Sequence, residues 1–262
     1  MPWQLYTGSP VRGIKLLLLI GVMAFHACHK MTPDQFSDAK LLFEHGMKLY
    51  NNKEYTESIA YFESLKYRFP TSSFAPESEL KIADAHFNRA EFLEATLNYQ
   101  NFKMLYPSHP KVPYATYQMG LCYYEEAPTA IDRDQDNLIK AINTLNEVKE
   151  KWPTSKEAKK SETLITKARK AIYRREMYIA NFYFKRKAFA AALTRYNEVR
   201  SQYNFPDLLQ EASYKAAASQ YHLKAFDAAR ETLEPIIKDK SSKYHKRSVN
   251  LLAKINESTK TN

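Results

Sequence analysis

Apolar positions recur at helical spacing along most of the chain, and the runs close on one repeated signal. Phe69-Pro70, Tyr106-Pro107, Trp152-Pro153 and Phe205-Pro206 each follow segments that read as helix. Proline lacks the N–H that would continue a helix and pushes the residue before it out of the helical region. The aromatic residue placed there can pack back onto the helix it ends. Four such stops, each after a pair of helical segments, predict a tandem helix-turn-helix array. Helix starts carry caps: Thr32-Pro33-Asp34-Gln35 and Thr154-Ser155-Lys156-Glu157 read as capping boxes, and Asp207 as the cap after Phe205-Pro206.

The 34-residue tetratricopeptide pattern asks for small residues at positions 8 and 20, an aromatic at 24 and proline at 32. A start at Ala39 gives Gly46, Ser58, Phe62 and Pro70; a start at Pro76 gives Ala83, Ala95, Tyr99 and Pro107. A start at Tyr173 gives Ala180, Ala192 and Tyr196, with Pro206 two residues late. A start at Gln210 gives Ala217 and Ala229, with Leu233 in the aromatic place and no closing proline. The third repeat starts near Pro113, has Gly120 at position 8, and is interrupted over residues 125–135 before its second helix, near residues 136–151. Gly46 and Gly120 thus both fall at position 8, where the two helices of a repeat cross and a side chain would hold them apart.

The stops are unequally spaced. From Pro70 to Pro107 is 37 residues, from Pro107 to Pro153 is 46, and from Pro153 to Pro206 is 53. The second gap holds the insertion. The third leaves room for an extra helix, and because residues 157–186 contain no breaker, that helix is expected to run into the first helix of repeat four. Residues 241–257 are expected to form a terminal capping helix. The expected fold is all-α: a right-handed solenoid of about five tetratricopeptide repeats, with a long helix before repeat four and a C-terminal capping helix.

At the amino end, Arg12 and Lys15 precede an apolar run over residues 16–25, too short to span a bilayer, which takes about 20 residues. Ala27 then stands directly before Cys28. This resembles a bacterial lipoprotein signal, in which the cysteine becomes the lipidated first residue; Phe25 and His26 stand where such signals usually carry Leu and then Ser or Ala. The expected organisation is a signal peptide over 1–27, an anchor linker over 28–35, repeats one to three over 36–153, and repeats four and five with the capping helix over 154–262.

Composition narrows the function classes. Of five glycines, three lie in the first 27 residues, which excludes glycine-rich phosphate loops from the body of the chain. Two cysteines make no disulfide framework, and the seven histidines form no HExxH or Cys/His cluster, so no metal or other cofactor is expected. Net charge is +10, placed unevenly: residues 28–148 sum to −5 and residues 149–187 to +9. Such asymmetry points to an acidic partner or an anionic surface for the basic part. Its dense cluster includes Lys167, Arg169, Lys170, Arg174 and Arg175.

The segment Leu105-Tyr106-Pro107-Ser108-His109-Pro110, followed by Tyr117-Gln118-Met119-Gly120-Leu121, resembles the BamD family, the lipoprotein component of the outer-membrane β-barrel assembly machine. Asp132-Arg133-Asp134-Gln135 ahead of a helix with Ala141, and Glu176, Ile179, Ala180 and Tyr183 on the long helix, are similar to that family too. The resemblance runs from about Pro33 to Pro206. It implies five repeats, a lipid anchor at Cys28 on the periplasmic face of the outer membrane, binding to BamA and other machine subunits, a non-enzymatic scaffold role, and binding of unfolded outer-membrane proteins with their aromatic-rich terminal signal.

Two surfaces follow as candidates. Lys170, Arg174 and Arg175 are the candidate partner-binding residues. In tetratricopeptide folds, positions 2, 5, 9 and 12 of each first helix usually line the concave side. That places Lys40, Phe43, Met47 and Tyr50 of repeat one, Glu77, Leu80, Asp84 and Phe87 of repeat two, and Tyr114, Tyr117, Leu121 and Tyr124 of repeat three on one face. Phe43, Met47, Tyr50, Leu80, Phe87, Tyr114, Tyr117 and Tyr124 form the expected peptide groove, although an aromatic stripe at helical period also reads as core. Three competing readings are a periplasmic adaptor for cell-wall or division proteins, a Ca²⁺ loop at Asp132, Asp134 and Asp136 lacking the Gly and Glu of an EF-hand, and a cytoplasmic nucleic-acid binder prompted by a pI near 9.3. The lipoprotein reading excludes nucleic acid as a partner.

Overall fold

A computed structural model describes residues 31–260; the expected signal peptide and Cys28 lie outside the described residues. The described residues form helices, turns and loops, with no strand among them. The helices are α1 (Ala39–Asn51), α2 (Tyr55–Arg68), α3 (Ala75–Asn88), α4 (Phe92–Leu105), α5 (Val112–Glu125), α6 (Asp136–Lys151), α7 (Lys156–Lys185), α8 (Phe189–Gln202), α9 (Pro206–His222), α10 (Phe226–Lys238) and α11 (His245–Lys260). They pair as helix-turn-helix repeats, α1 with α2 through α9 with α10, and α11 packs on α10. The insertion separates α5 from α6. The 30 residues of α7 fuse the extra helix to the first helix of repeat four, a rod of about 45 Å.

The repeat positions explain the core. Position 24 is fully buried in every repeat: Phe62, Tyr99, Leu145, Tyr196 and Leu233. Position 20 is a small, fully buried residue throughout: Ser58, Ala95, Ala141, Ala192 and Ala229. A Cβ on Gly46 would stand 2.8 Å from the Phe62 ring, and one on Gly120 would stand 2.7 Å from Leu145 Cδ2 and Cγ. In these two repeats the position-24 side chain approaches the first helix too closely for a Cβ at position 8.

Where position 24 is tyrosine, its hydroxyl needs an acceptor once buried. The Tyr99 hydroxyl donates to Asp84 Oδ1 at 2.7 Å, and the Tyr196 hydroxyl to Asn181 Oδ1 at 2.7 Å. Both acceptors are position 9 of their repeats. Where position 24 is Phe62, Leu145 or Leu233, position 9 is Met47, Leu121 or Ala218. The polarity of position 9 thus follows the chemistry of position 24.

The turn between the helices of a repeat also has a fixed place. Lys53, Ala90, Lys187 and Lys224 have φ of 64°, 59°, 62° and 62°, each at position 15 of an uninterrupted repeat. None is glycine, so each carries the cost of a left-handed L-residue, about 1 kcal/mol. The backbone N–H groups of the residues that follow, such as Glu54 to Leu49 O and Glu91 to His86 O, hold the turn in place.

The helix ends correct four expectations. Thr32 does make a capping box with Gln35, but it caps a three-residue 3-10 turn, Pro33–Gln35. α1 starts at Ala39 instead, where Asp38 accepts from the Lys40 N–H at 2.5 Å. At α7 the cap is Ser155, whose hydroxyl accepts from Ala158 N–H at 3.1 Å, not Thr154. Phe69, Tyr106 and Trp152 do end their helices, donating to Leu65 O, Phe102 O and Val148 O. Phe205 does not: α8 already ends at Gln202, Phe205 is extended at φ −122° and ψ 96°, and Pro206 opens α9. Proline serves at the first helical position because the N–H it lacks has no intrahelical partner there. Asp207 accordingly sits in the first turn of α9, where a carboxylate suits the helix dipole, and is not the cap.

By packing, the chain divides at Ala75/Pro76 into two units. In the second, each helix packs on the next from α4 to α11, and α3 joins through Leu80 and Ala83. In the first, α1 and α2 pack on Phe36, Leu42, Leu49, Tyr61 and Leu65. A strap over residues 31–36 is clamped onto this hairpin. The Arg68 guanidinium donates to Pro33 O at 2.9 Å and to Phe36 O at 2.5 Å, and the Tyr61 hydroxyl donates to Met31 O.

His45 lies against the strap, stacked on Tyr61 at 4.6 Å and tilted on Phe36 at 5.1 Å. Burial, and then the Lys48 charge, hold its pKa below the usual 6.5, with Glu54 opposing. The folded state therefore binds this proton less well than the unfolded chain. Stability from this site is complete above about pH 6.5 and declines as pH falls toward the lowered value. The urea midpoint should drop between pH 7.5 and 5, and His45→Phe should make that drop smaller; an unchanged pH slope in the variant would count against it.

Candidate functional site

The second unit carries three adjoining clefts against α5 and α7. One of about 380 Å³ lies between α3, the start of α5 and the start of α7, lined by Leu80, Lys81, Asp84, Lys111, Tyr114 and Glu157 among others. A second, about 390 Å³, has Tyr117, Leu121 and Tyr124 of α5 on one wall and Lys160, Thr163 and Lys167 of α7 on the other. The third, also about 390 Å³, shares Tyr124 and Glu125 with the second and runs beneath the insertion to Arg174 and Arg175.

The polar chemistry of the first cleft centres on Asp84, a buried carboxylate. Its Oδ1 accepts from the hydroxyls of Tyr99 at 2.7 Å and Tyr114 at 2.8 Å, and its Oδ2 from Lys81 Nζ at 2.8 Å. The single carboxylate therefore ties α3, α4 and α5 together. Burial, and then the Asp84 charge, drive the Tyr99 phenol far above its ordinary pKa, so it stays a donor. In the second cleft, Lys160 Nζ stands 5.7 Å over the Tyr117 ring. Burial, followed by the Glu157 charge, raises the Tyr117 pKa and keeps that phenol neutral.

The expected groove residues are distributed unevenly. Tyr114, Tyr117 and Tyr124 line the clefts on α5 and are half-buried. Leu80 is 1% exposed within the core cluster, so it is floor and offers a ligand little surface. Phe87 is half-buried and meets Phe92 edge-on at 5.5 Å. In the first unit, Phe43 packs between Phe62 and Phe74, at 5.7 and 5.1 Å, and Tyr50 meets Tyr55 at 5.4 Å. Met47 is half-buried on the same helix. The stripe is thus part core and part cleft: Leu80 and Phe43 pack inward, Tyr50 and Phe87 meet the next helix edge-on, and the tyrosines of α5 line the clefts.

The partner-binding candidates separate as well. Lys170 is exposed, and its Nζ stands 5.5 Å over the Phe205 ring. Arg175 is engaged: its Nε donates to Arg133 O at 3.0 Å, pinning the insertion to α7, and its guanidinium pairs with Glu176 at 3.2 Å. Arg174 is exposed at the lip of the third cleft.

Two features were missed. Lys160 faces the tyrosine wall beside Lys167 of the expected basic cluster, and helical spacing from Lys167 back along α7 could have found it. A further cleft of about 350 Å³ lies between α7 and α9, with Tyr178, Asn181, Phe184, Glu211 and Lys215. Asn181, Phe184 and Glu211 are concave positions 9 and 12 of repeat four and 2 of repeat five, so extending the register would have located it.

Asp134 accepts from the Asp136 N–H at 3.0 Å, shaping the start of α6. Among the described residues no group of three His, Cys, Asp or Glu could hold a metal ion, and no helix is long and apolar enough to cross a membrane. Cys122 is buried in the core of α5. Burial pushes its thiol up to about 12, with the hydrogen bond to Thr96 opposing.

Residues 35–234 match the family described as "YfiO: Outer membrane lipoprotein". The outer membrane protein assembly factor BamD of Neisseria gonorrhoeae is 30% identical over 217 residues, covering 76% of this chain and 80% of that protein. BamD of Rickettsia prowazekii is 28% identical over 218 residues, covering 83% and 86%. BamD of Haemophilus influenzae is 25% identical over 250 residues, covering 87% and 95%.

Proposed function

The chain belongs to the outer membrane lipoprotein family that includes the BamD assembly factors, and from that premise we propose that it is a scaffold of outer-membrane protein assembly. In this reading it is anchored through a lipidated Cys28 on the periplasmic face. It binds BamA through the basic part of α7, and it binds unfolded segments of outer-membrane proteins in the groove between α5 and α7. The observation that carries the reading is the wall of Tyr117, Leu121 and Tyr124 facing Lys160 and Lys167 across an open cleft. Rigid tyrosines offer contact area at low entropic cost, and the lysines suit a segment that brings a carboxylate.

The groove is tested with a photo-crosslinking residue in place of Tyr117, with Met104, exposed on α4, as the comparison site. Unfolded outer-membrane protein should crosslink from position 117 and not from 104. Equal yields at the two sites would overturn the groove assignment. For BamA, the clean variant is Arg174→Glu, because Arg175 also holds the insertion. Arg174→Glu should lower recovery of BamA in a membrane-fraction pull-down severalfold at physiological salt, and unchanged recovery would remove α7 as the docking surface.

A further inference from the structure

The first unit contains a cleft of about 480 Å³ between the strap, α1 and α2. Its walls are Met31 and Pro33 of the strap, His45 and Leu49 of α1, and Ala60 and Tyr61 of α2, with Glu57 and Thr32 at its edge. The size falls in the range of about 300–1,000 Å³ typical of small-molecule sites. The Tyr61 hydroxyl and the strap carbonyls of the walls already have partners. The Tyr61 hydroxyl is given to Met31 O, Arg68 holds Pro33 O and Phe36 O, and the His45 ring is stacked against Tyr61, with burial disfavouring its charge. Such a cleft recognises an apolar chain and has little to offer a charged headgroup.

The strap decides which apolar chain is at hand. Its clamp by Tyr61 and Arg68 holds Met31 at the cleft wall, and Cys28 stands three residues before Met31. Three residues reach at most about 11 Å. An acyl group on Cys28 is therefore tethered within one short step of the opening, at an effective concentration that a free lipid does not reach.

We propose that this cleft seats an acyl chain carried by Cys28. The proposal rests on the lipoprotein reading above. Each methylene taken out of water stabilises the seated form, so seating one chain shields it whenever it is outside a bilayer, while any further chain is free to insert. The seat and the anchor then compete for the same chain, and the strap couples the pose of the first unit to the state of the anchor.

The test compares two full-length forms, the acylated protein purified from membranes and the unacylated Cys28→Ser protein. The probe is dansyl-labelled decylamine, a neutral sulfonamide with a ten-carbon tail, followed by its fluorescence. The Cys28→Ser protein should bind it. Ala60→Trp, at an exposed position on the cleft rim, should weaken that binding at least tenfold, and Met31→Asp should weaken it independently, each with an unaltered melting profile. The acylated protein should take up little probe, its own chain being in place. Binding unaffected by both variants, or equal uptake by the acylated form, would overturn the seat. Mass spectrometry of the purified wild type separates the two ideas. An intact acyl mass with full probe uptake defeats the seat alone, whereas absence of acylation at Cys28 defeats the lipoprotein reading and the seat with it.

Discussion

Gly120→Leu is expected to destabilise the protein by about 3 kcal/mol or more. A Cβ alone at this position stands 2.7 Å from Leu145, and Leu145 is fully buried with no space to swing away. Gly120→Ala should already cost about 1–2 kcal/mol: overpacking of up to about 3 kcal/mol is offset by about 1 kcal/mol of improved helix propensity. The decisive measurement is a double-mutant cycle by urea unfolding. Leu145→Ala alone should cost about 2–5 kcal/mol through its cavity. Combined with Gly120→Ala it should cost clearly less than the sum, since the new methyl then has space. Additive costs would mean that the close approach of α5 and α6 is not what the glycine serves.

Asp84→Ala is the second large effect, expected at about 2–4 kcal/mol. It removes the acceptor of the Tyr99 hydroxyl, a fully buried donor, and leaving such a donor unmatched costs about 1–3 kcal/mol by itself. The rest comes from the charge-assisted bonds to Tyr114 and Lys81. Adding Tyr99→Phe removes the stranded hydroxyl, so the double variant should recover about 1 kcal/mol or more relative to simple addition. The double variant also recreates the pairing found in repeat one, where Phe62 at position 24 goes with apolar Met47 at position 9. No recovery would show that Asp84 acts through Tyr114 and Lys81 and not through Tyr99. Because Tyr114 lines the cleft and hangs on the same carboxylate, the single variant should also loosen the groove wall.

These two sites differ in how far they could be read from the chain. Gly120 was legible because only a glycine or a small residue at position 8 allows two helices of one repeat to approach, and the interval to Gly46 fits the same register. The insertion and the long α7 were legible from the unequal proline spacing, since both lengthen the chain between stops. Phe205-Pro206 was misread because the same dipeptide can end one helix or begin the next, and which it does depends on where α8 frays. The role of Asp84 was not legible. It occupies a concave position by register, yet its carboxylate turns inward to a tyrosine on the following helix.

The sequence by itself determined the repeat register, the insertion, the long α7 and the family, because each rests on local backbone chemistry: prolines that stop or start helices, small residues at crossings, and a period set by helical geometry. Tertiary packing alone decided which polar and aromatic side chains are spent inside the molecule. Arg175 ties down the insertion while Arg174 stands exposed, and Leu80 becomes floor while Tyr117 becomes wall. The reason is geometric. Neighbours on one helix differ by about 100° in direction, and what each one meets is set by a separate segment of the chain, as Arg175 meets the Arg133 carbonyl of the insertion.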